Sequence, residues 1–126
     1  MGQARIRRIP LWETPQTINA TAAITSAAIA QERYLGDAMA LRLTIAGSGP
    51  SLDVSLTVND ADSGTFVVPY DDSGSSLGAI TSTLTASRYI QFTPSLAKHM
   101  KITITGDGSN DVDTTVTAYL IVQEDV

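Results

Sequence analysis

Apolar and polar residues alternate along much of this chain, a pattern typical of β-strands that bury one face. The alternation is clearest in residues 41–45, 52–58 and 100–105. Shorter or weaker alternating segments are residues 18–24, 65–68, 80–84, 89–93 and 114–123. We therefore predict about eight strands, and since no long helical period interrupts them, a parallel sheet with crossover helices is not expected.

Strands of this number and spacing predict an all-β fold, an antiparallel β-sandwich or jelly-roll-like domain. Alternate residues of each strand would then face the core. The predicted core residues are Leu41, Leu43, Ile45, Leu52, Val54, Leu56, Val58, Ile90, Phe92, Ile102, Ile104, Val116, Leu120 and Val122. Segments 41–45 and 52–58 flank a Gly-Ser-Gly-Pro turn at 47–50, so we predict that they form a hairpin. Segment 25–30 is alanine-rich and fits a short helix or a strand.

The first sixteen residues differ from the rest. Pro10 and Pro15 disfavour a regular helix there, because each lacks a backbone donor and drives the preceding residue toward extended conformations. We predict an extended N-terminal arm over residues 1–16 and a sandwich domain over residues 17–126. Trp12, the single tryptophan, could bind another chain or fold back onto the edge of its own sandwich, and the sequence does not favour either.

Length and composition agree with one globular domain. The chain has 126 residues, of which 43% are hydrophobic, while only 17% are charged. The absence of cysteine excludes disulfides and thiol nucleophiles. No apolar run approaches the roughly 18 residues of a membrane span, and the N-terminus does not resemble a secretory signal. We expect a protein without membrane contact that is made in the cytoplasm and kept there until it is assembled into a larger structure.

Charge is distributed unevenly. The net charge is −5, yet Arg5, Arg7 and Arg8 lie within the first eight residues, which contain no acid. The remainder is strongly acidic, which argues against nucleic-acid binding by the domain, and the three arginines of the arm make only a small electrostatic footprint. We expect the arm to order on a partner protein, with Ile6 adding apolar contact. The predicted partner-binding residues are Arg5, Arg7, Arg8, Ile9, Leu11 and Trp12.

Motifs for chemistry are weak, and we predict no catalytic, cofactor or metal site. Residues 107–113 place oxygen side chains at alternate positions, as calcium loops do, but lack the glycine and the distal glutamate of such loops. The acidic clusters at 59–62 and 71–72 read as solvated loops. His99 is the single histidine and cannot form a two-histidine metal site. We expect that the protein is not an enzyme.

Several segments together resemble small structural proteins of tailed-bacteriophage virions. The likeness lies in residues 18–29, 40–47, 58–60, 92–102, 108–111 and 117–120, and it leaves the arm unmatched. The usual Asn-Asp-Gly turn of such proteins is Asn59-Asp60-Ala61 here. The resemblance implies a β-sandwich that serves as a capsid cement or decoration protein, or as a part of the tail or baseplate.

Our first hypothesis is therefore a cement or decoration protein of the virion, a homotrimer bound to the major capsid protein or another virion protein. Its arm would reach across neighbouring capsomers. A tail, neck or baseplate component is the alternative. A carbohydrate-binding module of an adhesin is a third hypothesis, for which Trp12, Tyr34, Tyr70, Tyr89 and Tyr119 are the available aromatic side chains.

Overall fold

A computed structural model describes residues 4–31, 34–108 and 112–125. The described residues form ten strands and no α-helix. The strands are β1 (Ala4–Pro10), β2 (Gln16–Ile18), β3 (Ala23–Thr25), β4 (Ile29–Ala30), β5 (Leu35–Gly47), β6 (Ser51–Asn59), β7 (Ala79–Leu84), β8 (Arg88–Phe92), β9 (His99–Asp107) and β10 (Thr114–Asp125). The predicted all-β class is confirmed, with ten strands instead of about eight.

The strands form two antiparallel sheets that pack as a sandwich. Sheet I has the order β1-β10-β5-β8, and β2 also pairs with β10. Sheet II has the order β3-β9-β6-β7, and β4 also pairs with β9. Long strands β10 and β5 form the centre of sheet I, while β9 and β6 form the centre of sheet II. The predicted antiparallel sandwich is therefore confirmed.

The core lies between the inner faces of the two sheets, as the alternation predicts. Leu41 and Leu43 of β5 face Leu52, Val54 and Leu56 of β6 across it. Every predicted core residue belongs to this cluster, although Ile45, Val58, Ile90 and Phe92 are only partly buried. The hydrophobic core also contains side chains that we did not predict, namely Leu11, Ile18, Met39, Leu84, Met100 and Ala118.

The predicted hairpin between segments 41–45 and 52–58 is wrong. Strand β5 pairs with β10 and β8, whereas β6 pairs with β9 and β7. The turn at residues 48–50 passes from one sheet to the other, and the Thr114 hydroxyl anchors it by donating to the Pro50 carbonyl at 3.0 Å. In a hairpin both apolar faces would lie on one side of the same sheet. In two sheets they close on each other and bury more apolar surface.

The chain also changes sheet between β2 and β3. Strand β2 pairs with β10, and β3 pairs with β9, so residues 19–22 cross the edge of the sandwich. Ala20 has a positive φ of 50° in this crossing. The Gly106 N–H donates to the Ala22 carbonyl at 2.9 Å. A side chain at Gly106 would overlap the carbonyl oxygen of Ala20, which explains why glycine occupies this point of β9.

The N-terminal segment is extended, but it is not separate from the sandwich. Residues 4–10 form β1 and pair along their whole length with β10, from Ala4 opposite Asp125 to Pro10 opposite Tyr119. The structure therefore corrects the expectation of a free arm over these residues. Strands β1 and β2 together form one edge of sheet I, interrupted at residues 11–15. The physical reason is that β10 would otherwise expose unpaired backbone groups along its edge.

Between β6 and β7 the chain makes a long excursion over residues 60–78. The predicted strand at 65–68 is present only as a single bridge between Val58 and Val67. A second bridge joins Tyr70 and Ser76. The ambiguous segment 25–30 contains β4 and no helix. Among the described residues, no helix is long and apolar enough to cross a membrane.

Candidate partner-binding surface

The side chains of β1 alternate between the two sides of sheet I. Arg5 and Arg7 bind the carboxylate of Glu124 on β10, with N–O distances of 2.6 and 3.3 Å. The hydrogen bond from Arg5 is the main reason why the pKa of Glu124 lies below its usual range. Both arginines remain more than half exposed, so the ion pairs are open to solvent. They fasten the start of β1 to the end of β10.

On the other side of β1, Arg8 and Ile6 face outward. The guanidinium group of Arg8 lies over the ring of Tyr119, 4.4 Å from its centroid, which is a cation–π contact. Ile6 is 72% exposed. An isoleucine that projects into water from an edge strand contributes little to the stability of its own chain, so its exposure marks it as a candidate contact.

The other predicted partner-binding residues are engaged within the chain. Leu11 is buried, and its N–H donates to the Ala118 carbonyl at 3.0 Å. Ile9 and Trp12 are partly buried and pack against the core. Trp12 therefore folds back onto its own sandwich, one of the two placements that the sequence left open. The structure brings Arg5, Arg7 and Arg8 to the surface and uses Ile9, Leu11 and Trp12 for packing.

The outer face of sheet I is the surface formed by the outward residues of β1, β10, β5 and β8. Its members are Ile6, Arg8, Ala38, Ala40, Arg42, Tyr89, Gln91, Tyr119, Ile121 and Gln123. Several of them line a depression of about 260 Å³, including Ile6 from β1, Ile121 from β10 and Tyr89 from β8. Tyr89 is 55% exposed. The face thus combines exposed apolar and aromatic groups with two arginines.

Tyr89 and Ile121 were not among the predicted binding residues. Strand alternation was sufficient to show that both point away from the core, since Ile90 and Leu120 point toward it. What the alternation could not show is that β8 and β10 belong to the same sheet as β1. Only that common sheet places Tyr89 and Ile121 beside Ile6 on one continuous face.

A second apolar surface lies on the excursion between β6 and β7. Val67, Val68, Tyr70 and Leu77 are all exposed there. Lys101 of β9 lies over the ring of Phe66, 4.5 Å from its centroid. This surface lies beside sheet II, because Val67 forms a single bridge with Val58 of β6.

A tight turn closes the tip of this excursion. One carboxylate oxygen of Asp71 accepts hydrogen bonds from the Ser75 and Ser73 backbone N–H groups and from the Ser73 hydroxyl. The bond from Ser75 N–H is the main cause of a lowered pKa of Asp71. Local hydrogen bonds of this kind are how aspartate stabilises turns. The structure therefore gives the acidic cluster at 71–72 a turn-forming role.

The candidate residues for chemistry are dispersed. His99 begins β9 and is half-buried, and its Nδ1 is buried without a hydrogen-bond partner. Asp113 of the calcium-like loop accepts a hydrogen bond from the Asn19 amide at 2.9 Å. Residues 109–111 of that loop lie outside the described residues. Within the described part of the chain, no three His, Asp or Glu side chains are grouped as metal ligands would be.

Two further features bear on small-ligand binding. An open depression of about 920 Å³ lies beside the β8–β9 connection, and its lining includes Gln31, Tyr34 and Lys98. Leu96, which also lines it, is fully exposed. Of the two exposed tyrosines, Tyr70 lies on the excursion between β6 and β7, and Tyr89 lies on β8 of sheet I. The geometry thus offers broad surfaces more readily than a shaped pocket.

No protein-family model matches the chain, and no characterised protein matches it in sequence. The chain aligns with two solved structures of infectious bursal disease virus. The structure of the Gx strain matches 97% of this chain with 13% identity and a TM-score of 0.46. The structure of the Gt strain matches 97% of this chain with 12% identity and a TM-score of 0.42. The chain spans about a third of those proteins, 32% and 36% of their lengths.

Proposed function

We propose that this chain is a structural protein of a virion, a capsid cement or decoration protein that docks on the shell through the outer face of sheet I. The observation that carries the proposal is the exposure of Ile6 and Tyr89 on one continuous sheet face. Large apolar side chains grouped on a surface mark sites of interaction between proteins. Arginine and tyrosine are among the residue types enriched at such sites.

In this proposal Ile6, Tyr89 and Ile121 supply apolar burial against the partner. Arg8 and Arg42 contribute charge to a face of an otherwise acidic protein, which suits an acidic or carbonyl-rich partner surface. Many copies, each with a modest interface, would together reinforce the joints of a shell. The major capsid protein is the proposed partner, and a homotrimer on the shell is the proposed arrangement.

The role of the predicted arm changes in one respect. Arg5, Arg7 and Arg8 remain available at the surface, so we retain them as proposed contacts. Ile9, Leu11 and Trp12 would act indirectly by holding β1 and the residues after it in place. Binding by these three side chains themselves would require the start of the chain to leave the sandwich.

The test is co-sedimentation with particles prepared without this chain. Two variants, Ile6→Asp and Tyr89→Asp, place a charge on the outer face of sheet I. Two matched controls, Val67→Asp and Tyr70→Asp, place the same charge on exposed residues of the excursion. We expect each outer-face variant to weaken binding at least about tenfold, which corresponds to about 1.4 kcal/mol, while the controls bind normally.

Equal binding by all four variants would refute docking through the outer face of sheet I. A loss confined to the excursion variants would move the interface to sheet II. Thermal unfolding of each variant must stay close to that of the unchanged protein, which all four exposed positions should permit.

The same face could equally join rings in a tail, neck or baseplate, which is the alternative that the resemblance raised. An electron-microscopy image of particles carrying a tagged copy of this chain separates the two. Label over the shell supports the cement or decoration role. Label restricted to the tail or neck supports the alternative.

A further inference from the structure

We propose that β1 is an exchangeable strand, which leaves β10 of its own chain and pairs with β10 of a second copy in the same antiparallel register. The inference rests on the proposed assembly function in that it names the neighbour as another copy of this chain. It concerns residues 4–10 of the donor and residues 119–125 of the acceptor, which are paired within one chain here.

The first argument is that β1 is a transferable unit. Its seven register partners all lie on β10. Both of its ion pairs are made with Glu124, and its cation–π contact is made with Tyr119. Since these partners belong to one strand, the β10 of a second copy offers β1 the same hydrogen bonds, ion pairs and ring contact.

The second argument is that little of β1 is buried. Arg5, Ile6, Arg7 and Arg8 are exposed, and among the side chains of residues 5–10 only Ile9 packs partly against the core. An edge strand with few buried apolar contacts is among the segments that open at low free-energy cost. Release therefore exposes little apolar surface, and the core beneath β10 stays covered.

The third argument concerns the hinge. Leu11 is buried and bound to Ala118, so release of β1 would stop there. Residues 11–15 form no strand; Pro10 precedes them and Pro15 is the last of them. The seven residues of β1 span roughly 23 Å when extended. Exchange about this hinge brings the Tyr119 end of the acceptor's β10 beside Leu11 of the donor.

Exchange conserves the contacts, so the balance between closed and exchanged forms depends on concentration. In dilute solution β1 stays paired with the β10 of its own chain, because the connection within the chain keeps the effective concentration of that β10 high. When copies are crowded on a surface, the β10 strands of neighbouring copies compete with the chain's own β10 for β1. Reciprocal exchange closes a pair, and head-to-tail exchange closes a ring such as the proposed trimer.

The register between β1 and β10 indicates where a pair of introduced cysteines would show which chain supplies the β10 that binds β1. Hydrogen-bonded and non-hydrogen-bonded pairs alternate in antiparallel sheets. Leu11 and Ala118 form a hydrogen-bonded pair. Ile6 and Gln123 lie five positions away in the same register, so they form a non-hydrogen-bonded pair. Cα atoms of such pairs lie about 4.5 Å apart, within the range of a disulfide. Both residues are exposed, and the chain has no other cysteine to interfere.

The experiment mixes a tagged Ile6→Cys chain with an untagged Gln123→Cys chain and oxidises the mixture at rising protein concentration. Pairing of β1 of one chain with β10 of the other brings the two cysteines together, so a mixed disulfide above the background of random collision reports exchange. A mixture of Arg42→Cys and Tyr89→Cys chains is the matched control, because those two residues are also exposed on the outer face of sheet I and pair on β5 and β8, outside β1. We expect the mixed disulfide to exceed this control at least tenfold at high concentration.

A mixed disulfide no more abundant than in the control overturns the inference. The double variant I6C/Q123C gives a second measurement. When it is oxidised in dilute solution, β1 should be locked on its own β10, and the protein should remain monomeric by sedimentation at all concentrations. Reduction should restore association. Association of the locked form to the same extent as the reduced form would also overturn strand exchange.

The two proposals fail in different ways. If the locked form binds particles as well as its own reduced form, docking stands and strand exchange is refuted as its basis. If the unchanged protein exchanges β1 but does not bind particles, exchange stands and the virion role is refuted.

Discussion

The guanidinium group of Arg5 lies 2.6 Å from the carboxylate of Glu124, and this contact joins the first described strand to the last. The two residues are 119 positions apart in the chain. Arg7 adds a second, longer contact to the same carboxylate. Glu124 thus gathers two of the three N-terminal arginines and holds β1 at the edge of sheet I.

Replacing Glu124 should loosen β1 without unfolding the sandwich. The change Glu124→Gln removes the charge that both arginines bind, so we expect faster hydrogen exchange at the amides of residues 5–9. The core strands should keep their protection, because β1 contributes little to the core. Hydrogen-exchange mass spectrometry would measure this. Asp62→Asn, which neutralises an exposed loop acid, should leave β1 unchanged.

Acid should have the same effect on β1 as that substitution. The pKa of Glu124 is lowered in the folded protein, mainly by its hydrogen bond from Arg5. Its contribution is therefore complete above the ordinary glutamate pKa of about 4.3 and is lost as the pH falls toward the lower folded value. Hydrogen exchange at residues 5–9, corrected for the intrinsic rate, should accelerate below about pH 4. In the Glu124→Gln variant this acceleration should be absent, and its persistence would assign the effect to another group.

Ser26 fills the gap between β3 and β4, and its removal should cost stability. The Ile102 N–H donates to the Ser26 hydroxyl at 3.0 Å, and the Ser26 N–H donates to the Ile102 carbonyl at 2.8 Å. In Ser26→Ala the buried N–H of Ile102 loses its acceptor, so we expect the free energy of unfolding to fall by about 1–3 kcal/mol. Urea denaturation would measure it. The exposed Ser82→Ala should change stability by no more than about 0.5 kcal/mol.

Leu84 tests whether β7 belongs to the core. Its side chain is 2% exposed, although its segment alternates only weakly. Leu84→Ala should lower the free energy of unfolding by about 2–5 kcal/mol, because it leaves a cavity between the sheets. Leu96→Ala makes the same change at a fully exposed leucine and should be close to neutral. Similar losses for both variants in chemical denaturation would contradict the placement of Leu84.

The excursion over residues 60–78 shows how far local patterns reach. The acidic positions 71 and 72 were expected to be a solvated loop, and the structure adds a turn organised by the Asp71 carboxylate. The neighbouring segment 65–68 has the composition of a strand, yet it makes a single bridge. Strand-like composition is therefore insufficient when no free neighbour of matching length lies beside the segment.

The candidate surface was predictable in part. The arginines of the arm were found from charge, because a cluster of like charges at a chain end is visible without a fold. Tyr89 was missed as a surface contact, since its neighbours on the outer face come from strands far away in the chain. The contacts of Ile9 and Leu11 within the chain could not be seen in the sequence, because their partners on β10 lie more than a hundred residues later.

Alternation by itself determined the class of fold, the inner face of each long strand and most of the core. It could do so because the two-residue period of a strand is a local property, and burial follows it wherever one face is covered. Which strands pair with each other was decided only by the tertiary structure. Strand β5 pairs with β10 instead of β6, and residues 4–10 pair with β10 instead of lying free. Both pairings depend on which strands still have unpaired backbone groups at their edges once the apolar faces of the two sheets have closed on each other.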